Sequence, residues 1–404
     1  MSLPSPLAAP VRPPLSLYVH VPWCVRKCPY CDFNSHELRG AGAASLSPAA
    51  LEPALERRYV SALLADVEHA LPMIWGRTVS SVFFGGGTPS LLSASALDSL
   101  LCGLRARLSL APDVEITLEA NPGTFETRKF AAFGALGVNR LSIGVQSFDP
   151  EHLRGLGRIH DAREALCAVE IAQANFDNIN LDLMYALPGQ TLVQAQADFR
   201  TAIALAPAHI SAYHLTIEPN TLFHRHPPRV PDDDLSAAMQ EAIESLLSRA
   251  AYAHYETSAF ARPGRECRHN LNYWRFGDYL GVGAGAHSKL SVPGRIVRQL
   301  RWKHPREYMQ NALAGQPMQQ EHAVDVADLP FEFMMNALRL IEGFEPAQFE
   351  ARTGLALAAV LPALERAQAL GLIMHQGERV APTLRGQRFL NDLLQLFLPE
   401  TARA

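Results

Sequence analysis

Three cysteines lie within eight residues of one another in the stretch VHVPWCVRKCPYCDFNSH, residues 19–36. Cys24, Cys28 and Cys31 have the spacing C-x3-C-x2-C and directly follow a β-rich run. Zinc normally takes four protein ligands at a structural site or histidines at a catalytic one, and no matching CxxC pair follows. Three thiolates suit a 4Fe-4S cluster in which one iron has no protein ligand. The reduction potential of such a cluster can be low enough to deliver one electron to a cofactor bound at that iron. The alternative is three buried thiols in a turn.

Glycines and polar residues follow several later β-rich runs. GGGTPS (85–90) has three consecutive glycines, which allow close backbone approach to a ligand, although a tight turn explains them as well. Glu119 and Gln146 end two further runs, where they can hydrogen-bond ribose hydroxyls or an amino group. Arg158 can hold a carboxylate by a bidentate pair, and Asp182 can accept a hydrogen bond from a ribose. Together these groups match one zwitterionic ligand that carries a nucleoside.

The elements that must position these residues form an alternating pattern. Six β-rich runs alternate with amphipathic segments, which predicts parallel strands joined by right-handed crossovers, in an open doubly wound sheet or a barrel. In both architectures the ligand site lies at the carboxyl ends of the strands. The runs begin at Ser16, Ser81, Val114, Arg140, Asn180 and Ile210, and the helical segments span 54–71, 93–108, 161–175 and 191–206.

The chain changes character after the sixth run. A charged, proline-containing break at 225–234 precedes a predicted helix at 235–252 and then a region rich in aromatic residues and glycine, in which His287 is expected to line the site. From about Asp328 the pattern is mostly helical, with one short turn before a last helix. This part is expected to be a small domain, winged-helix-like in outline. Its charges are mixed, which favours a packing or lid role over DNA binding.

Composition limits the class of protein. The chain has 404 residues, 48% of them hydrophobic, and a formal net charge of −4, which is typical of a soluble globular protein without a basic bias towards nucleic acid. It has neither a signal-peptide pattern nor an uncharged apolar run of about 18 residues, so we expect a cytoplasmic protein without a transmembrane segment. Cysteines in that reducing compartment rarely form disulfides, and Cys102, Cys167 and Cys267 are expected to have core or incidental roles.

The motifs taken in order carry a resemblance to a known family. CVRKCPYC, GGGTPS, EANP, GVQSF and DLMYALPGQ resemble radical S-adenosylmethionine (SAM) proteins, specifically the oxygen-independent coproporphyrinogen III oxidase and its heme-chaperone relatives. The resemblance implies an α/β fold with a partial (β/α)6 barrel and a mainly helical C-terminal domain. It implies that Cys24, Cys28 and Cys31 bind the cluster and that SAM binds the open iron. The implied SAM contacts are Tyr18, Gly86, Thr88 and Glu119, and Tyr30, Gly87, Gln146, Arg158 and Asp182 match positions that hold a second SAM in the oxidase.

Two features favour the chaperone branch of that family. The oxidase branch carries a further cysteine two residues after the third one, where this chain has Phe33, and it has a longer N-terminal extension. RHNLNYW (268–274) matches the HNxxYW motif of the chaperone branch, in which the histidine has been implicated in heme binding. Imidazole is a competent axial ligand, although a histidine beside aromatic residues is also a common structural feature. The resemblance thus implies His269 as a heme ligand.

The expected function is that of a heme chaperone that passes heme to an acceptor protein. The alternatives are an oxygen-independent coproporphyrinogen III oxidase, in which a 5′-deoxyadenosyl radical abstracts hydrogen from propionate side chains, and a radical SAM enzyme with another substrate. The expected domains are a tail at 1–15, the barrel at 16–235, a flanking region with the HNxxYW motif at 236–325, and the C-terminal domain at 326–404.

Overall fold

A computed structural model describes residues 12–38, 51–123 and 127–399 of the chain. Within them, one twelve-stranded sheet forms the centre, and two small two-stranded sheets accompany it. The strands are β1 (Leu15–Val21), β2 (Trp23–Cys24), β3 (His36–Glu37), β4 (Thr78–Gly86), β5 (Ser109–Ala120), β6 (Arg140–Gln146), β7 (Ile179–Tyr185), β8 (His209–His214), β9 (Ala253–Glu256), β10 (Ala259–Ala261), β11 (Asp278–Val282), β12 (His287–Val292), β13 (Arg295–Arg301), β14 (Met318–Ala323), β15 (Ile373–Gln376) and β16 (Arg379–Pro382).

Helices connect and cover these strands, and several of them begin at side-chain caps. Asp161 and Thr191 each accept a hydrogen bond from the backbone nitrogen three residues on, and the side chain at that position accepts one from the backbone nitrogen of the cap residue. The helices are α1 (Pro53–Ile74), α2 (Ala94–Arg107), α3 (Phe130–Ala135), α4 (Pro150–Gly155), α5 (Ala162–Gln173), α6 (Leu192–Ala204), α7 (Leu222–Arg225), α8 (Asp233–Arg249), α9 (Arg268–Trp274), α10 (Pro305–Leu313), α11 (Leu329–Ala337), α12 (Pro346–Thr353), α13 (Leu361–Ala369), α14 (Leu384–Arg388) and α15 (Leu390–Gln395).

The six predicted strands are confirmed, and they lie side by side. Strands β1, β4, β5, β6, β7 and β8 are neighbours in that order, and every pair among them is parallel. The next neighbour of β1 is β11 and that of β8 is β10, so the six strands form a partial barrel that does not close on itself. The side chains on the face that the helices cover are almost entirely buried, including Leu17, Leu118 and Leu181, and they alternate along the strands with residues that face the inside of the barrel. All six carboxyl ends therefore lie at one edge.

The sheet continues beyond the predicted strands. β11 pairs in parallel with β1, and β12, β13 and β14 follow it in antiparallel order. The sequence analysis predicted no strand in this glycine-rich region, because glycine within a strand weakens the usual β signal. Gly281 lies in β11 at a point where a Cβ atom would be only 2.0 Å from the carbonyl oxygen of His287. Close packing of two backbones therefore explains this glycine, and the same packing brings His287, at the start of β12, beside β11.

The C-terminal region has a hydrophobic core of its own. Phe333 packs edge-on against Phe344 and Phe349, with ring centroids 5.1 and 5.2 Å apart. The helices α11 to α15 surround this core, and β15 and β16 form an antiparallel hairpin. This arrangement agrees with the predicted mainly helical, winged-helix-like domain. Arg388 forms two hydrogen bonds of 2.7 Å to Glu244 of α8, which attach the domain to the flank of the barrel. In the described part of the chain, no helix has both the length and the apolar character that a bilayer crossing requires.

Candidate functional site

The carboxyl ends of the six parallel strands surround a cavity of about 430 Å³. Most of the residues predicted to form a site lie in its wall, because each follows or ends one of these strands. Tyr18 instead lines a second, adjoining cavity, and His269 belongs to the wall of neither. The predicted residues in the wall of the first cavity are Cys24, Cys28, Tyr30, Cys31, Gly86, Gly87, Thr88, Glu119, Gln146, Arg158 and Asp182.

The three cysteines of the opening motif each have one polar neighbour. The hydroxyl of Thr88 donates to the Cys24 sulfur at 3.6 Å, and Nη1 of Arg158 donates to the Cys28 sulfur at 3.7 Å. The Cys31 sulfur lies 3.8 Å from the hydroxyl of Ser35. Hydrogen bonds to sulfur are one of the means by which a protein sets the potential of an iron–sulfur centre. The turn therefore has the polar surroundings that such a centre needs.

The chemistry of these donors fits a cluster. Burial raises the pKa of Cys24 to about 11 and also raises the pKa of Cys31, so these thiols ionise readily only when a metal binds them. In residues 12–38, 51–123 and 127–399, no three histidine, cysteine or carboxylate side chains converge on one metal-ion position. A four-iron cluster needs no such convergence, since each thiolate binds a different iron. An all-cysteine donor set is the usual one for iron–sulfur clusters.

Gly87 holds the glycine-rich turn against the cysteine turn. A Cβ atom at this position would lie 2.6 Å from the carbonyl oxygen of Trp23 and 3.0 Å from the carbonyl carbon of Pro22. The backbone nitrogen of Gly87 also donates to the carbonyl oxygen of Val21 at 2.8 Å. Only glycine therefore allows the turn after β4 to approach the segment that leads into Cys24.

Two of the four carboxyl groups in the wall of this cavity, those of Glu119 and Asp182, come from the strands β5 and β7. Glu119 accepts a hydrogen bond from the backbone nitrogen of Gly86 at 3.2 Å. Burial, followed by the nearby Asp182, raises the pKa of Glu119 to about 8, so its carboxyl is mostly protonated at neutral pH. Asp182 accepts from Ser142 and Asn180 at 2.8 Å each, and burial raises its pKa as well. A ligand that brings positive charge or hydrogen-bond donors would satisfy both groups.

Arg158 links the cysteine turn to the strand ends. Its Nη2 atom donates to the side chain of Asn121 and to the carbonyl oxygen of Gly144, both at 2.6 Å. Its buried Nε atom has no hydrogen-bond partner in the described part of the protein. Asn121 also donates to Thr88 at 3.0 Å. Asn121 was not among the predicted site residues, although its place directly after β5 follows the same pattern as the others.

The second cavity is larger, about 820 Å³, and adjoins the cysteine turn. It was not predicted, since one of its sides comes from β11, β12 and the segments around them. Its wall combines aromatic rings, imidazoles and charged groups of both signs, and it shares seven residues with the first cavity, among them Cys31, Gly86 and Glu119. The rings are Tyr18, Phe33, Tyr273 and Tyr279, the imidazoles are His20, His36 and His287, the cations are Lys27 and Lys303, and the carboxyl groups are Asp32, Glu119 and Glu218.

His269 of the HNxxYW motif lies behind this wall. Its side chain is 2% exposed, and its Nδ1 atom is 3.1 Å from the hydroxyl of Ser81. Its ring stacks on Phe83, with centroids 4.9 Å apart, and Tyr18 lies between this layer and the second cavity. Burial lowers the pKa of His269 to about 3, so the ring is neutral. The Nε2 atom has no partner within the described residues, and its role as a heme ligand stays a prediction.

Comparisons with known proteins agree over almost the whole chain. Residues 18–202 match the Radical SAM superfamily, and residues 324–389 match the HemN C-terminal domain. The protein named heme chaperone HemW of Escherichia coli (strain K12) is 50% identical over 390 residues, which cover 96% of this chain and 99% of that protein. The HemW of Haemophilus influenzae is 46% identical over 97% of this chain and 100% of its own length.

A solved structure shows the same fold. The coproporphyrinogen III oxidase HemN from Escherichia coli, described as a radical SAM enzyme, superposes with a TM-score of 0.78. The superposition covers 97% of this chain and 91% of that one, at 23% sequence identity. At this identity the likeness shows the fold alone.

Proposed function

This chain belongs to the HemW family of heme chaperones within the radical SAM superfamily, and on that premise we propose that it binds heme and passes it to an acceptor protein. The observation that carries the proposal is the 50% identity to a named heme chaperone across nearly the full length of both proteins. The aromatic cavity of about 820 Å³ supports it, because ligand pockets for small molecules and cofactors span about 300–1,000 Å³.

We further propose that Cys24, Cys28 and Cys31 hold a 4Fe-4S cluster, with SAM in the adjoining cavity of about 430 Å³. The polar neighbour of each sulfur atom and the all-cysteine donor set support this assignment. When bound, the cluster supplies one-electron chemistry at low potential. The proposed SAM contacts in this cavity are Gly86, Thr88 and Glu119, with Tyr30, Gly87, Gln146, Arg158 and Asp182 around the rest of it. Tyr18, the remaining implied contact, lies in the wall of the adjoining cavity.

Different residues of the cavity would bind different groups of SAM. The carboxyl of Glu119 accepts hydrogen bonds from an amino group, and Asp182 accepts them from ribose hydroxyls. The guanidinium of Arg158, which lines the cavity, can donate to a carboxylate. The glycines after β4 let the backbone approach the ligand closely.

An anaerobic titration of heme, followed by absorbance, tests the proposed function. The protein is first reconstituted with iron and sulfide, and the His269→Ala variant is titrated in parallel. Saturation near one heme per chain is expected for the unaltered protein. The absence of saturable binding would refute the chaperone function. An unchanged titration of the variant would retain the function and remove His269 as the ligand.

The oxidase alternative draws on one observation, namely that the residues implied to contact SAM in the oxidase also line a cavity here. Phe33, in place of a further cysteine, and the HNxxYW motif that contains His269 are the features of this chain that speak against it. Anaerobic incubation with coproporphyrinogen III, SAM and a reductant decides the matter, with a true oxidase as the positive control. We expect no protoporphyrinogen from this protein, and turnover comparable to that of the control would overturn the chaperone proposal.

A further inference from the structure

The second cavity offers a place for the cargo of the proposed function, on which this inference rests. We infer that heme occupies the cavity of about 820 Å³ beside the cysteine turn and that His287 is the axial ligand of its iron. The aromatic wall, the free imidazole and the cation at the rim carry the inference together.

His287 has the geometry of an available ligand. It begins β12, its side chain is exposed, and it lies in the wall of the cavity. Its imidazole forms no hydrogen bond in the part of the chain that the structure describes, so no bond must break before iron binds. Its backbone is fixed, because it pairs with Leu300 of β13 and packs against Gly281 of β11. Imidazole on a rigid element is a suitable axial ligand for heme.

The other imidazoles near this cavity are engaged or enclosed. Nδ1 of His20 is 3.0 Å from the hydroxyl of Tyr18, and its Nε2 is 2.9 Å from the carbonyl oxygen of Asn34. His36 packs edge-on against His304, and its Nε2 atom is buried. Neither ring presents a free nitrogen to the cavity.

His269 is separated from the cavity by a layer of side chains. Its ring lies against Phe83 and Tyr273, with Nδ1 near the hydroxyl of Ser81. Iron in the cavity would reach Nε2 only if this packing opened. His287 needs no such rearrangement and is therefore the preferred ligand.

The wall of the cavity suits a flat aromatic ligand. Tyr273 and Tyr279 pack against each other in a tilted arrangement, with ring centroids 4.1 Å apart and planes inclined by 33°, and Tyr18 lines the same cavity. Large aromatic rings give extensive apolar contact with little loss of conformational entropy. A porphyrin plane against these tyrosines would have its edge towards the rim of the cavity.

Lys303 is the cation best placed for a heme propionate. It is exposed at the rim and forms no ion pair among the described residues. Lys27 also lines the cavity, but its amino group already donates to the carbonyl oxygens of Phe33 and Ser35. The carboxyl groups of Asp32 and Glu218 face the same space and would repel a propionate. We therefore expect the propionates to point towards Lys303.

Heme titration of three variants tests the assignment. His287→Ala is expected to weaken hemin binding at least ten-fold and to shift the Soret band, whereas His375→Ala, an exposed histidine of the C-terminal hairpin, is expected to bind as the unaltered protein does. Added imidazole should restore the unaltered spectrum in His287→Ala, which a merely misfolded variant would not show. His287→Cys replaces the ligand instead of removing it and should give a thiolate-ligated spectrum.

The outcomes separate this inference from the proposed function. If the unaltered protein binds hemin while His287→Ala and His287→Cys retain its affinity and spectrum, the assignment of His287 is refuted and the chaperone function stands. If the unaltered protein does not bind hemin, both are refuted. Weakened binding with rescue by imidazole supports both.

Discussion

The contact between Gly87 and the cysteine turn predicts the effect of a single methyl group. In Gly87→Ala, the added carbon would lie 2.6 Å from the carbonyl oxygen of Trp23, about 0.8 Å inside the 3.4 Å at which ordinary contact begins. The obstructing atoms are backbone, so no side chain can rotate out of the way. Either β4 or the segment that leads into Cys24 must move.

The size of this movement indicates the size of the effect. Overpacking of a tight contact costs about 1–3 kcal/mol. A functional site tolerates displacements of only about 0.5 Å before its geometry is lost. Trp23 directly precedes Cys24, so a shift of this segment moves the first proposed cluster ligand. We therefore expect Gly87→Ala to reduce cluster loading by more than its cost in stability alone would suggest.

Iron and sulfide content after anaerobic reconstitution measures the effect, with thermal unfolding of the same samples for comparison. Gly155→Ala is the matched control, because a Cβ atom at that exposed position would meet no atom within 4 Å. The control is expected to load iron and to unfold as the unaltered protein does. Full iron content in Gly87→Ala, with unchanged stability, would refute the reasoning from this contact.

Three further predictions concern single side chains. Cys28→Ser is expected to lose the iron, sulfide and absorbance of the cluster, whereas Cys102→Ser, at an exposed cysteine of α2, keeps them; equal cluster content in both variants would contradict the proposed ligand set. Asp66→Ala removes the buried acceptor of Arg301 and Tyr308 and should cost about 3–5 kcal/mol of stability in denaturant unfolding. Glu68→Ala breaks only an exposed ion pair with Arg107 and should cost less than about 1 kcal/mol, so equal losses would count against the buried network. The pKa of Glu119 rises from 4.5 to about 8 on folding, mainly because the group is buried and secondly because Asp182 is near. The protonated carboxyl therefore contributes stability that is fully present below pH 4.5 and is lost as the pH rises through about 8. In the absence of ligand, the melting temperature of Glu119→Gln should therefore rise relative to that of the unaltered protein between pH 5 and pH 9. If the difference between the two melting temperatures does not change over this range, the pKa of Glu119 is not raised in the folded protein.

The barrel could be predicted from the sequence because its signals are local. Each of the six strands is a short β-rich run, and Glu119, Gln146 and Asp182 follow from the rule that polar residues at parallel strand ends meet at one edge. The C-x3-C-x2-C spacing of the cysteines by itself indicates a 4Fe-4S cluster. These patterns depend on neighbours in sequence, which is why they could be found without the structure.

The second cavity depends on contacts between distant parts of the chain. Strand β11 lies beside β1 although some 260 residues separate them, as in the pairing of Tyr18 with Gly281. Gly281 looks like a loop residue in the sequence and is in fact required by the approach of His287. His20 and His36 carry no motif, so nothing local indicated that they would share a cavity with His287. Tertiary packing determined this part of the site.

Cys31, Gly86 and Glu119 belong to the walls of both cavities, so what fills one cavity touches the surroundings of the other. If occupancy of the smaller cavity changes the affinity for a ligand in the larger one by some factor, thermodynamic reciprocity requires the same factor in the opposite direction. Loading of the cargo would then report on the state of the cofactor site, and the cofactor site would in turn set how readily the cargo is released. Lining residues that two cavities have in common can thus couple the two binding equilibria.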